Sequence, residues 1–220
     1  MNELLRYLTT LDIQPPDGWE ERIGALHGQL VAANQRTNLT RVTDLEDFLV
    51  KHVADSLLVV AAWPAIRDAE LRIADVGCGG GFPGLPLALT FPRLALTEID
   101  SSAKKIACVA KMIEDLELSR CRAIAGRARE LARRDELRET FHLVLARAVS
   151  DTPRLIKECR RFLTPEHGAL IAYKTPKHVD EERELVARES TKAGLDARVS
   201  EVYRLPGDHG ERQFWILSRG

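Results

Sequence analysis

The chain predicts an α/β fold: seven strands in a mostly parallel sheet, an antiparallel last strand, and a helical extension ahead of the sheet. Three observations carry this. From residue 70 onward short apolar runs alternate with stretches of helical period. A glycine-rich turn, Gly77 to Gly84, follows the first of those runs. The last two apolar runs are joined by Leu205-Pro-Gly-Asp-His-Gly-Glu-Arg212, too short for a crossover helix and long enough for a hairpin.

Residues 1 to about 62 read as helical. A short helix at 2–10 precedes the turn Pro15-Pro16-Asp17-Gly18, and a second near 19–33 repeats Trp19, Ile23, Leu26, Leu30 and Val31 at helical spacing. After the polar loop 34–41, a third helix at about 44–62 carries Leu45, Phe48, Leu49, Val53 and Leu57 as one apolar stripe. Such a stripe needs a partner surface, and the sheet that follows is the expected one. The expected division is a helical extension at 1–65 packed on a main domain at 66–220.

Strand one is 71–76, strand two 94–99, and the helix between them starts at about Gly84. A helix at roughly 101–116, capped by Ser101 or Ser102, leads to a short third strand at 122–125. Strand four lies near 142–146, its helix at about 151–163, and strand five at 169–173 after the Pro165-Glu-His-Gly168 turn. A charged helix at about 178–193 precedes the hairpin strands 198–203 and 213–217. Right-handed crossovers then give a predominantly parallel sheet with helices on both faces.

A length of 220 residues suits one full α/β domain plus a small appendage, with a core that needs no metal or disulfide. The formal net charge of -1 neither points to nor excludes a nucleic-acid partner, because 32 Lys and Arg can still gather on one face. Cys78, Cys108, Cys121 and Cys159 form no CxxC pair and read as reduced thiols of a cytoplasmic protein. No basic leader with an apolar h-region is present, and no apolar run reaches membrane-spanning length. The histidines show no metal-ligand spacing, so no metal is expected.

The chemistry concentrates at Asp75-Val-Gly-Cys-Gly-Gly-Gly-Phe-Pro-Gly84. Gly79-x-Gly81-x-x-Gly84 alone fits NAD, FAD and S-adenosylmethionine sites alike. Asp75, at the end of strand one, would repel a pyrophosphate and suits the ammonium of a methionine moiety, directly or through water. Asp100, at the end of strand two, can accept hydrogen bonds from both hydroxyls of an adenosine ribose, with Glu98 on the same strand face as a second choice. A Walker-type phosphate loop is excluded, since no Gly-Lys-Ser/Thr follows.

These residues and their surroundings resemble the RsmG/GidB family. The resemblance covers about 25–217: Asn38-Leu-Thr40, His52-x-x-Asp55-Ser56-Leu57, the glycine loop with Pro83 and Pro86, Asp100-Ser101 with Lys104-Lys105, Gly126-Arg-Ala128, Arg147-Ala148-Val149, Lys174 and Arg212. It implies a Rossmann-like class I S-adenosylmethionine-dependent methyltransferase with sheet order 3-2-1-4-5-7-6. It also implies methyl transfer to guanine N7 in 16S ribosomal RNA, met as RNA, assembly intermediate or mature small subunit. The chain departs from the family pattern at Arg129, where Glu is common, at His142, where Asp is frequent, and at Thr175 after Lys174.

On this reading the donor meets Asp75, Gly77, Cys78, Gly79, Gly81, Phe82, Glu98, Asp100, Arg127, Ala128 and Arg147. Guanine N7 already offers a lone pair, so no general base is expected and Arg147 and Lys174 serve as positioning cations. Arg36, Asn38, Lys51, His52, Lys104, Lys105, Lys174 and Arg212 are the expected RNA contacts, weakening with salt where they grip phosphates. His52 and Asp55, three apart on the third helix, are also placed to pair. Arg127, Arg129, Arg133 and Arg134 read first as solvated surface and second as an RNA contact. The tryptophans read as packing anchors, and a monomer is expected. Two other readings stay open: an NAD-dependent oxidoreductase, and a non-catalytic module that binds the methyl donor.

Overall fold

The computed structural model describes all 220 residues. Its first part is helical: α1 (Asn2–Thr10), α2 (Trp19–Asn34), then a run from α3 (Leu45–Phe48) through a π-helical stretch (Leu49–Ala54) into α4 (Asp55–Leu57) and α5 (Val59–Ala62). Asp44 caps this run by accepting from the backbone N–H groups of Glu46 and Asp47. Four of the five expected stripe residues are buried, whereas Leu45 is 46% exposed. It lies in the turn ahead of the π-helical stretch, whose wider turn resets the phase of the buried side.

The sheet begins with β1 (Arg72–Val76), β2 (Ala95–Asp100), β3 (Cys121–Ala125), β4 (Leu143–Arg147) and β5 (Ala169–Lys174), paired in parallel in the order β3-β2-β1-β4-β5. The last strand, β8 (Glu211–Ser218), runs antiparallel between β5 and β6 (Asp196–Val199). The expected strand at 198–203 is divided in two. The Ser200 N–H donates to the Phe214 carbonyl, but its Oγ takes the Phe214 N–H at 2.9 Å and its carbonyl takes the Gln213 side chain. The ladder breaks there, and β7 (Tyr203–Arg204) resumes as a short eighth strand on β8.

Alternation along the strands sends their side chains into two cores. Ile73, Leu96, Leu143, Leu145 and Ile171 pack with α1 to α5, α6 (Gly84–Thr90) and α7 (Ala103–Asp115). Ala74, Val76, Val144, Ala146 and Leu170 pack with α8 (Ala128–Leu131), α9 (Thr152–Cys159) and α10 (Pro176–Ala193). The helical extension therefore shares a core with one face of the sheet.

Buried Trp19 adds a polar tie, its indole N–H donating to Thr90 Oγ at the end of α6. Trp215 is also in the core, and the guanidinium of Arg198 lies over the Trp63 ring. His142 accepts the Arg72 N–H on Nδ1 at 2.9 Å, so its departure from the family pattern has a role in joining β4 to β1.

Candidate active site

The carboxyl ends of β1, β2, β3 and β4 open into a cavity of about 1000 Å³, the place where open α/β sheets hold ligands. Its floor is the loop after β1. The Gly77 and Cys78 N–H groups both donate to the Ile99 carbonyl, at 2.7 and 3.1 Å, which folds the loop over the end of β2. Gly77 has φ 72°, and a Cβ there would lie 2.7 Å from a methyl carbon of Val149. Only glycine meets both conditions.

Asp100 closes β2 and faces the cavity. One carboxylate oxygen accepts from Gly79 N–H at 3.1 Å and the other from Ser102 N–H at 2.8 Å. Each oxygen keeps a free lone pair for a ligand hydroxyl. Ser102, rather than Ser101, caps α7.

Asp75 and Glu98 stand elsewhere than the sequence suggested. They are register partners on β1 and β2, both fully buried and outside the cavity lining. Asp75 Oδ2 accepts from Gly84 N–H at 2.8 Å and so ties the loop to the start of α6. Asp75 Oδ1 and both Glu98 oxygens have no N–H or O–H donor among ordinary partners. Two carboxyls pressed together without a cation must share a proton. Burial pushes Asp75 up to about 7 and Glu98 well above the usual carboxylate range. The pair is a support beneath the loop and leaves Asp100 as the cavity's carboxylate on this side.

The rim opposite is built by Arg147, at the end of β4. Its Nη1 donates to Asp55 Oδ2 at 2.9 Å and to the Lys51 carbonyl at 3.0 Å, while Nη2 stands 3.2 Å from His52 Nδ1. A guanidinium only donates, so His52 Nδ1 is the acceptor and Nε2–H points to Thr40 Oγ, 2.8 Å away. Burial, followed by the Arg147 charge, lowers His52 to about 3, which keeps the ring neutral. The ring stacks on Phe82 with centroids 4.3 Å apart. The expected His52–Asp55 pair is therefore absent: Asp55 takes arginines instead, because its neighbours across the interface are cations.

A second cavity of about 520 Å³ lies beyond the strap Arg147-Ala148-Val149, which lines both. Tyr173, Lys174, Thr175, His178, Glu182 and Arg212 face it. Lys174 Nζ is 2.8 Å from Glu182 and 2.9 Å from the Ser150 carbonyl. Arg212 pairs with Asp55 through Nε at 2.7 Å and Nη2 at 3.3 Å.

Of the expected donor contacts, Gly77, Cys78, Gly79, Phe82, Asp100, Arg127, Ala128 and Arg147 line the first cavity, while Asp75, Glu98 and Gly81 do not. Of the expected RNA contacts, His52 and Lys105 line the first cavity and Lys174 and Arg212 the second. Arg36, Asn38 and Lys104 are exposed outside both cavities. Lys51 pairs with Asp47 at 2.6 Å, and its carbonyl rather than its ammonium reaches the site. Arg129 and Arg133, read first as solvated surface, reach the lining of the first cavity.

Sequence reasoning missed Leu39, Val149, Arg154 and Glu158 in the first cavity and Glu182 in the second. The spacing of Arg154 and Glu158, four apart on α9, was the available signal for that pair. Glu182 carried none beyond its place in a charged helix. No group of three His, Cys, Asp or Glu side chains is arranged to hold a metal, and no helix is long and apolar enough to cross a membrane.

The architecture is that of S-adenosylmethionine-dependent methyltransferases. The structure is similar to a SAM-dependent methyltransferase from Aquifex aeolicus, with TM-score 0.58 and 15% identity over 83% of this chain and 96% of that one. It is also similar to fibrillarin from Aeropyrum pernix, solved with natively bound S-adenosyl-L-methionine, with TM-score 0.56, 17% identity, and 74% and 73% of the two chains covered.

Residues 20–206 match the GidB family, described as rRNA small subunit methyltransferase G. Ribosomal RNA small subunit methyltransferase G of Gloeobacter violaceus is 36% identical over 197 residues, 88% of this chain and 76% of the relative. That of Staphylococcus carnosus is 34% identical over 217 residues, 98% of this chain and 89% of the relative. The chain belongs to the GidB family, and it is a methyltransferase.

Proposed function

We propose that this protein transfers a methyl group from S-adenosylmethionine to N7 of a guanine in 16S ribosomal RNA. The observation that carries the placement is the 1000 Å³ cavity at the carboxyl ends of β1 to β4, with Asp100 on one wall and the Arg147 strap on the other. The residues present fit the donor: a carboxylate with open lone pairs for ribose hydroxyls, and a loop that packs against Val149 at Gly77 and leaves open space beside its backbone at Gly79. Backbone beside Ala128, with Arg127, would receive the adenine end. When bound, the donor supplies an electrophilic methyl carbon on a sulfonium.

Every other contribution is alignment. The target guanine enters from the second cavity, past Arg147-Ala148-Val149, and presents N7 to the methyl. The N7 lone pair needs no proton removed, so the reaction asks for no general base. Lys174 and Arg212 orient the nucleotide through its phosphate or O6. The helical extension at 1–65 and the domain at 66–220 act together, because Arg147 is held by residues of the extension. The protein works as a monomer in the cytoplasm, on ribosomal RNA or the small subunit, whether assembling or mature.

The test is incubation with labelled donor and either small-subunit RNA or particles, followed by mapping of the modified base. Label at guanine N7 in one defined loop is expected. Label only in DNA, protein or a small molecule would overturn the assignment.

A further inference from the structure

We infer that Asp55 is a positioning residue: its one carboxylate aims two arginines at the boundary between the donor cavity and the second cavity. The inference rests on the reading of these cavities given above. Asp55 is itself almost fully buried, its side chain 3% exposed. Oδ1 accepts from Arg212 Nε at 2.7 Å, and Oδ2 accepts from Arg212 Nη2 at 3.3 Å and from Arg147 Nη1 at 2.9 Å. Arg147 begins the strap that separates the cavities, and Arg212 faces the second one.

Neither arginine has another carboxylate within ion-pair reach. The nearby cation Lys174 has its own, Glu182. Asp55 is thus the sole anion holding two buried or half-buried guanidinia apart at fixed angles, and without its charge they repel each other and reorient.

Docking of the helical extension does not explain the arrangement. The Tyr173 hydroxyl donates to the Ser56 carbonyl at 2.9 Å, Trp19 donates to Thr90 Oγ, and a continuous apolar core joins the extension to the sheet, all without Asp55. The π-helical stretch just before Asp55 places the Lys51 carbonyl and His52 Nδ1 on the same guanidinium. Arg147 is therefore fixed from three sides, and π-helical turns of this kind often mark such functional placements. What Asp55 adds is direction of the two cations toward the acceptor, a contribution to turnover separate from donor binding.

The experiment compares the full chain with Asp55→Asn and Asp55→Glu, measuring turnover and KM with small-subunit RNA, donor affinity by equilibrium binding, and melting temperature. Asn is nearly the same size but has one acceptor oxygen. Turnover should fall on the order of 10²-fold, as for misplacement of a reacting group by about 1 Å. Donor affinity should stay within about twofold, since Asp100 and the glycine loop are untouched and Arg147 is the one donor-cavity residue that moves.

Should Asp55→Asn fail to fold, Asp55→Glu decides: it keeps the charge, shifts it by one methylene, and should lose turnover with donor affinity retained. Unchanged turnover in a folded variant overturns the inference, as does a turnover loss matched by an equal loss of donor affinity. A wild-type chain that methylates no RNA sinks the substrate reading instead.

Discussion

On the donor side of the crevice, Asp100 reaches Gly79, 21 positions away, and Ser102, two positions away. On the acceptor side, Asp55 reaches Arg147 across 92 positions and Arg212 across 157. The first wall is a strand end and its adjoining loops, built wherever β1 and β2 pair. The second exists only once the helical extension, β4 and β8 have come together. The two walls also keep buried acids in different ways. Asp75 and Glu98 share a proton, whereas Asp55 is matched by two guanidinia. A proton can be lost to solvent as pH rises, but a guanidinium cannot. Donor-side substitutions should therefore act on stability and donor affinity, and acceptor-side substitutions on turnover.

The largest expected effect is on the donor side's support. A Cβ at Gly84 would collide with Glu98 Oε1 and lie 2.6 Å from Leu96 Cδ2, in the buried first turn of α6. Gly84→Ala should lose about 3 kcal/mol of stability through overpacking. Denaturant unfolding measures it, and a variant as stable as the parent would show that β1, β2 and α6 do not meet in this way. Next is Asp100→Ala, which removes the carboxylate that anchors Gly79 and faces the cavity. Donor affinity should fall by about 10- to 100-fold, the worth of hydrogen bonds to a charged group. RNA affinity measured without donor should hold. If instead RNA binding weakened and donor binding did not, the two walls would have been assigned the wrong way round.

Legibility in the sequence follows the same division. The antiparallel last strand and the place of Asp100 were readable because each depends on local periodicity or on residues flanking one loop, whereas the strand order was implied only by the family resemblance. The short strand β7 was missed because a serine hydroxyl replaces a ladder bond at Ser200, which alternation cannot reveal. Asp75 was misplaced for a different reason: a residue two before the glycine loop can point into the crevice or beneath it. The choice is fixed by the neighbour on β2, Glu98, and by the Gly84 N–H. The pairing of Asp55 with Arg147 and Arg212 left no trace in spacing, since residues so far apart are neighbours only through the fold. His52, three positions from Asp55, was the nearer partner on paper, and the structure turns it toward Thr40 and Arg147.

The smallest expected effect separates the two ways of keeping a buried acid. Glu98 and Asp75 bind a proton more tightly in the folded protein than in the unfolded chain, because burial raises both and is offset only in part, for Asp75 by the Gly84 N–H, the contact with Glu98 and the Arg147 charge, and for Glu98 by the Cys78 thiol. A folded-state value above the unfolded one contributes stability that is complete below about pH 4 and is lost as pH rises through the folded value, about 7 for Asp75 and well above the usual carboxylate range for Glu98. Glu98→Gln leaves Asp75 to titrate but removes the second proton, since an amide donates to Asp75 without ionising. The wild type should therefore lose stability more steeply than the variant between about pH 5.5 and pH 7, the gap widening by about 2 kcal/mol. Unfolding measured at each pH gives both slopes, and exposed carboxylates common to the two proteins cancel in the difference. Parallel slopes would mean that Glu98 is already ionised and that an unseen cation, rather than a proton, lies between the strands. The donor wall would then be built on the same plan as the acceptor wall.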